Sequence, residues 1–181
     1  MPLTAASERE LLHTRRVECR GYQRSDGLWD IEGHLIDLKS YTWQSDDRGE
    51  VRPGEPLHEM WLRLTIDEDL LIRAVEAASD YSPFRACPAV VPHFAALEGL
   101  RIGPGWRKKV RELLGGTKGC THLVELLTPL ATTAYQTIYS ARARRAQKEP
   151  GRKPDHIDTC HALASDGEVV KRYWPSFYTG T

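Results

Sequence analysis

The chain has 181 residues, 40% of them hydrophobic and 28% charged, with 25 basic and 25 acidic side chains. This length predicts one domain with a hydrophobic core of its own, and the composition is that of a globular chain rather than a disordered one. Because the two charge signs balance, the chain lacks the positive surplus that attracts nucleic acids and anionic membranes. We therefore expect no nucleic acid and no membrane among its partners.

The cysteines and the N-terminal residues bear on the compartment. No apolar run approaches the roughly 20 residues of a membrane helix, and the start lacks the basic-then-apolar order of a signal peptide. The four cysteines form no C-x-x-C pair, which argues against zinc-finger and thioredoxin-like sites. We therefore expect a cytoplasmic protein with reduced thiols. The cysteines are Cys19, Cys87, Cys120 and Cys160.

The N-terminal half is typical of β-structure. Residues 1–14 are expected to be a flexible arm, and residues 15–181 a single α+β metal-binding domain. A turn signal at Ser25-Asp26-Gly27 predicts a β-hairpin over 15–43, in which Gly33 is expected to mark a bulge. Residues 44–56 are expected to be a polar loop.

The alternation of apolar and polar residues over 57–66 predicts a strand. His58 has the same parity as Met60 and Leu62, so its imidazole is expected to point to the buried face, where it needs a partner or a ligand. Residues 70–79 are ambiguous, because their apolar spacing fits a helix while tertiary context can still make them a strand.

The C-terminal half is typical of helices. Short helices are predicted over 89–98 and 106–114, and a long apolar stripe over 120–146 predicts either one helix kinked at Pro129 or two abutting helices. A turn signal at 165–168 predicts a closing hairpin in the tail. The expected fold is α+β, with an antiparallel sheet from the N-terminal half packed against helices of the C-terminal half.

The strongest local motif is Gly115–Glu125. A glycine-rich approach delivers Cys120 to a helix N-terminus, where unpaired N–H groups and the positive dipole end stabilise a thiolate. His122 follows two residues later, and Glu125 lies three residues beyond it on the same helical face. This pattern is typical of a metal-ligating or reactive site, although a buried Cys with a capping His would give the same sequence.

Two weaker patterns also contain metal-ligand residue types. Cys160 and His161 are adjacent, so at most one of them is expected to reach a given site. Asp30, Glu32 and His34 share one face of the predicted strand, where they can form a nitrogen–oxygen metal site or simply the solvated side of a sheet.

Motifs along the chain resemble a bacterial family known only as a domain of unknown function. The matching stretches are 26–34, 57–60, Gly119-Cys120-Thr121-His122-Leu123 and Cys160-His161-Ala162-Leu163. This resemblance implies no activity.

Residues 57–140 also resemble, more remotely, the fold that assembles iron–sulfur clusters, of the IscU/NifU N-terminal type. The resemblance places His58, Cys87 and Cys120 at the ligand positions of that fold, with His122 close by, and it favours a strand over 70–80. His58 stands where the family has Cys, and Cys-x-His replaces His-Cys. A site with fewer thiolates and more nitrogen suits a single zinc or iron ion better than a cluster.

These patterns together lead to one functional hypothesis with two alternatives. We expect a mononuclear zinc or iron enzyme, a hydrolase or lyase, acting on a small carbonyl compound or thioester. Its acid/base group would be Glu125 or His122. The alternatives are an iron–sulfur or metal scaffold and an accessory protein with a structural zinc. The sequence is compatible with a homo-oligomer. The expected metal ligands are His58, Cys87, Cys120, His122 and His161.

Overall fold

The computed structural model describes residues 3–146 and 151–181. The chain forms two compact units, Met1–Ile138 and Tyr139–Thr181. The first unit holds six strands: β1 (His13–Gln23), β2 (Trp29–Lys39), β3 (Trp43–Ser45), β4 (Gly49–Val51), β5 (Pro56–Ile66) and β6 (Ile72–Tyr81). Its α-helices are α1 (Trp106–Leu114) and α2 (Thr121–Ala146) up to Ile138. None of the described helices is long and apolar enough to span a membrane.

The main sheet is antiparallel throughout, with the strand order β1-β2-β5-β6. The predicted α+β architecture is confirmed, since this sheet from the N-terminal half packs against helices of the C-terminal half. A hairpin within the predicted range 15–43 is also confirmed as β1 and β2, with Gly27 at φ 87° in the turn, but β2 ends at Lys39 and Trp43 begins β3. The segment 44–56, expected to be a loop, contains most of the small β3–β4 hairpin.

Strand β6 resolves the ambiguity over 70–79. Its apolar spacing fits a helix, yet it pairs with β5 along its length, for example Val75 with Leu64. Long-range pairing thus overrides local propensity here. Both the strand prediction over 57–66 and the inward orientation of Met60, Leu62 and Leu64 are confirmed, since each of these side chains is 1% exposed or less.

Helix α2 packs on the inner face of the sheet. The stripe predicted along it is buried, from Leu123 to Ile138. The helix is single and runs through Pro129. Close approach is possible because two strand residues lack a side chain: an added Cβ would lie 1.8 Å from Thr137 Oγ1 at Gly21 and 3.2 Å from Leu130 at Gly33.

The bulge predicted at Gly33 is wrong. The register of β2 is continuous through Gly33 on both sides, and the irregularity lies between Asp37 and Leu38. Gly33 is instead the position where Leu130 of α2 approaches the backbone of β2. The glycine therefore serves helix–sheet packing, and it adds no extra residue to the ladder.

The other helices follow the prediction in part. The helix predicted over 106–114 is α1, and the segment predicted over 89–98 is a 3-10 helix, Cys87–Leu97, with Pro92 inside it. The prolines leave backbone positions without a donor, which suits irregular helical turns.

The second unit shows that the predicted closing hairpin is wrong. Within residues 151–181 the chain forms no strand. Gly167, in extended conformation, caps α3 (Glu168–Tyr173), and Glu168 lies in the first turn, where a negative charge is favourable. Ile157 and Val170 are the buried apolar residues of this segment.

The expected flexible arm ends close to the observed start of β1 at His13, and its residues 1 and 2 lie outside the described part of the chain. Its flexibility, and the expectation that residues 15–181 form one domain, stay predictions.

Candidate metal centre

Three polar side chains form a row across neighbouring strands on the inner face of the sheet. The register pairs Arg15 of β1 with Asp37 of β2, and Asp37 with His58 of β5. Asp37 has the parity of the buried Leu35, and His58 has the parity of the buried Met60. The β-ladder itself therefore brings these three side chains together.

Asp37 is the buried centre of the row, with 1% of its side chain exposed. Arg15 donates two hydrogen bonds to it, from Nε to Oδ1 at 2.7 Å and from Nη2 to Oδ2 at 2.8 Å. His13 Nε2 lies 3.1 Å from Oδ1. Burial alone would raise the pKa of Asp37, but the hydrogen bonds and charge of Arg15 outweigh it and hold the pKa below its usual value. The carboxylate is therefore ionised.

Two imidazoles converge on Oδ2 of Asp37. His58 Nδ1 lies 3.1 Å from this oxygen and His122 Nε2 lies 3.7 Å from it. The two rings stack with centroids 3.8 Å apart. His58 Nδ1 is buried, and its interaction with the Asp37 carboxylate raises the pKa of His58 against the effect of burial, although the contact falls short of good hydrogen-bond alignment. In the described part of the chain, these three side chains form a group that can hold a metal ion, with ligand atoms within 4.8 Å of one another.

The protonation states of both histidines suit metal ligation. Burial, and then the neighbouring His122, lowers the pKa of His58 to about 4. Burial, and then the charge of Arg15, lowers the pKa of His122. Both rings are therefore neutral near pH 7 and each has a nitrogen lone pair to offer. Two imidazoles and one carboxylate are a ligand set that zinc and non-haem iron share.

Cys120 lies beside this group, at a different nitrogen of His122. Its Sγ is 3.8 Å from His122 Nδ1 and 3.9 Å from Met60 Sδ. Its carbonyl accepts the Val124 N–H at 2.9 Å, so Cys120 occupies the position just before α2. The motif thus places both Cys120 and His122 at the helix N-terminus, as the sequence predicts.

Glu125 joins the site through Arg15. The Arg15 guanidinium bonds both Asp37 and Glu125, so one cation links the buried carboxylate to a carboxylate that is 53% exposed. Glu125 therefore lies at the solvent side of the candidate centre. This position suits a proton acceptor that exchanges with water.

The other predicted ligands, Cys87 and His161, lie in 3-10 helices. Cys87 is half-buried at the start of its 3-10 helix and is not a member of the group of three. His161 is exposed at the start of a 3-10 helix, His161–Leu163, in the second unit, next to the exposed Cys160. Their roles as metal ligands stay predictions.

The polar set of β2 lies on the outer face of the sheet. Asp30 accepts a hydrogen bond from Thr65 Oγ1 at 2.7 Å, and Arg63 Nε donates to Glu32 at 2.8 Å. His34 pairs with Glu59 at 3.0 Å and stacks on Trp61. These cross-strand pairs favour the solvated-face interpretation.

Sequence reasoning missed Asp37, Arg15 and His13. A signal for Asp37 was present, because it continues the buried parity of Trp29, Ile31 and Leu35. A carboxylate at an inward position demands a cationic or metal partner. Arg15 carries no comparable signal, since charged residues are common on a strand.

A family model described as "Protein of unknown function (DUF2889)" matches residues 13–136. The chain belongs to this family. The match covers Arg15, Asp37, His58, His122 and Glu125, whereas Cys160-His161-Ala162-Leu163 lies beyond it. Among curated proteins and among solved structures, none matches the chain at a significant level. The predicted membership in a domain-of-unknown-function family is thus confirmed, and the likeness to the cluster-scaffold fold stays a prediction.

Proposed function

We propose that this protein binds one zinc or iron ion with Asp37, His58 and His122 and acts as a mononuclear metalloenzyme. The observation that carries the proposal is the buried His58 Nδ1, which lies 3.1 Å from a buried carboxylate oxygen without an aligned hydrogen bond. A neutral imidazole has one N–H and one lone pair, and with the lone pair on Nδ1 this buried nitrogen faces an anion and is satisfied only by a cation between them. A metal ion between Asp37, His58 and His122 would satisfy it.

Arg15 supports this assignment as the partner that orients Asp37. Its two hydrogen bonds fix the plane of the carboxylate, as outer groups commonly do for metal ligands. Each carboxylate oxygen has a second lone pair, so the Arg15 bonds leave Oδ2 able to ligate.

The chemistry follows from three ligands and an open position. Such an ion polarises a carbonyl or activates a water molecule. Glu125, half-exposed and held by Arg15, would take up or return the proton. The substrate class that fits is a small carbonyl compound or thioester, and the reaction class is hydrolysis or a lyase step. His122 serves as a ligand in this scheme, and Glu125 alone serves as the acid/base group.

The alternatives fit the group of three less well. Iron–sulfur clusters are held mainly by thiolates, whereas this group offers one oxygen and two nitrogens. A structural zinc needs a closed shell of four protein ligands, and the group supplies three. A mononuclear catalytic ion is therefore the reading that the donor set favours.

Metal analysis of matched variants tests the proposal. Protein purified without chelator is analysed for zinc, iron and acid-labile sulfide, together with the variants His58→Ala, Asp37→Asn and His34→Ala. We expect about one ion per chain in the wild type and in His34→Ala, and a loss of at least about tenfold in the other two. Circular dichroism checks that each variant folds.

His34 is a suitable control because it also sits on the main sheet, beside a carboxylate, but on the outer face. Equal metal content in His58→Ala and His34→Ala would contradict the proposal. Iron found together with sulfide would favour the cluster scaffold instead.

A further inference from the structure

His122 turns its two ring nitrogens toward chemically different partners. Nε2 faces the carboxylate of Asp37, 3.7 Å away, and Nδ1 faces the thiol of Cys120, 3.8 Å away. The Cys120 sulfur also lies 3.9 Å from the thioether sulfur of Met60. Cys120 Sγ therefore contacts both Met60 Sδ and the His122 ring nitrogen that does not face Asp37, which groups two sulfurs and one nitrogen.

We propose that Met60, Cys120 and His122 Nδ1 form a second, soft metal site that takes a monovalent copper ion. Thiolate and thioether sulfurs select Cu(I) over harder cations, and imidazole is also a copper ligand. This site uses different atoms from the Asp37 group and goes beyond the function proposed above.

The spacing fits a three-coordinate ion. Ligand atoms bound to one ion at about 2.0–2.3 Å, with bond angles near those of a triangle or tetrahedron, lie roughly 3.5–4.0 Å from one another. The two measured separations, 3.8 and 3.9 Å, fall within this range. Cys120 Sγ is thus placed as the ligand shared by both of these pairs.

The elements that carry the three ligands hold them in place. Met60 is 1% exposed and lies in β5, a middle strand of the sheet, where it pairs with Leu35 of β2 on one side and Ser79 of β6 on the other. Cys120 and His122 stand at the start of α2, which packs on the same face of the sheet. A buried thioether that touches a thiol is also common core packing, and the experiment must separate the two.

The shared ring couples the soft site to the Asp37 group. A neutral imidazole has one lone pair and one N–H. With its proton on Nε2, His122 offers Nδ1 to the sulfur side and donates toward Asp37. With the proton on Nδ1, it offers Nε2 to a metal held by Asp37 and His58. Loading of the soft site therefore opposes loading of the Asp37 group.

The test uses a variant in which Cys19, Cys87 and Cys160 are replaced by Ser. Its remaining sulfurs are those of Cys120, Met60 and Met1, since the chain has four Cys and two Met. The protein is titrated anaerobically with Cu(I) against the chromophoric chelator bicinchoninate, and X-ray absorption at the copper edge counts the sulfur neighbours. We expect about one Cu(I) per chain, with two sulfurs and one nitrogen around it.

Two further substitutions in this background make the result specific. Met60→Leu keeps the volume of the core and is expected to weaken Cu(I) binding at least about tenfold. Cys120→Ser is expected to abolish it. Unchanged affinity in Met60→Leu, a shell with one sulfur, or no binding at all would overturn the proposal.

The variant Asp37→Asn distinguishes the proposed Cu(I) site from the proposed zinc or iron site. That variant is expected to lose zinc or iron and to keep Cu(I), because Asp37 is no ligand of the soft site. Cu(I) binding in a chain that never binds zinc or iron would support the soft site while contradicting the proposed function.

Discussion

Each face of the main sheet carries a row of three polar side chains that contains an arginine–carboxylate pair, and the two rows differ in their surroundings. On the inner face the row is Arg15–Asp37–His58, across β1, β2 and β5. On the outer face it is Glu32–Arg63–Glu76, across β2, β5 and β6. Each row contains an arginine that bonds a carboxylate on the next strand at 2.7–2.8 Å.

Burial distinguishes the rows. Asp37 is 1% exposed, whereas Glu32 is 32% exposed and Arg63 is 40% exposed. Water can solvate each outer charge if its partner is removed, but it cannot readily solvate Asp37. The same pairing is therefore a minor surface contribution on one face and a structural requirement on the other. This contrast is the physical reason to look for function on the inner face.

The largest expected effect comes from removing the arginine of each row. Arg15→Ala leaves a buried carboxylate without its main cation and is expected to cost about 3 kcal/mol of unfolding free energy. Arg63→Ala, the matched control, is expected to cost less than about 1 kcal/mol. Urea denaturation of the metal-free proteins measures both. Equal losses would show that burial does not distinguish the rows.

The next effect is a pH dependence that belongs to the inner face. The pKa of His58 is about 4 in the folded protein, against an ordinary value of 6.5. As the pH falls from about 6.5 to 4, the unfolded chain binds a proton at His58 that the folded chain does not bind. Stability is therefore lost over this window, on the order of 3 kcal/mol from His58 at its lower end.

The variants His58→Gln and His34→Gln sharpen this prediction. Unfolding free energies of the metal-free proteins are compared at pH 7 and pH 4.5. His58→Gln is expected to reduce the pH dependence, while His34→Gln on the outer face should retain it. A wild-type stability that stays level between these pH values would be incompatible with a buried neutral His58.

The smallest effect tests how closely α2 covers the inner face. A Cβ at Gly33 would lie 3.2–3.3 Å from three atoms of Leu130, so Gly33→Ala is expected to cost about 1 kcal/mol by overpacking. Gly103→Ala is the control, because its Cβ would meet nothing within 4 Å. Thermal unfolding compares the two. A Gly33→Ala protein as stable as Gly103→Ala would mean that the helix lies farther from β2.

Local pattern was enough for part of this account. Alternation along 57–66 predicted both a strand and the inward direction of His58, because side chains of a strand alternate strictly between faces. The Cys120-x-His122 motif likewise predicted two neighbours at a helix start, since a glycine-rich segment before an apolar stripe is a local signal.

Long-range register decided the rest. Arg15, Asp37 and His58 are separated by more than 20 positions, and they meet because one particular register aligns β1, β2 and β5. A slip of one residue would turn Asp37 to the other face. The strand character of β6 depends in the same way on pairing with β5, against its own propensity. Single-sequence patterns do not contain this information.

Anomalous diffraction from crystals grown with an equimolar amount of zinc tests the central claim most directly. The account predicts a peak at the zinc edge about 2.0–2.2 Å from His58 Nδ1, His122 Nε2 and Asp37 Oδ2. A crystal structure in which Arg15 still bonds Asp37 but no zinc peak lies at this position would contradict the metal centre.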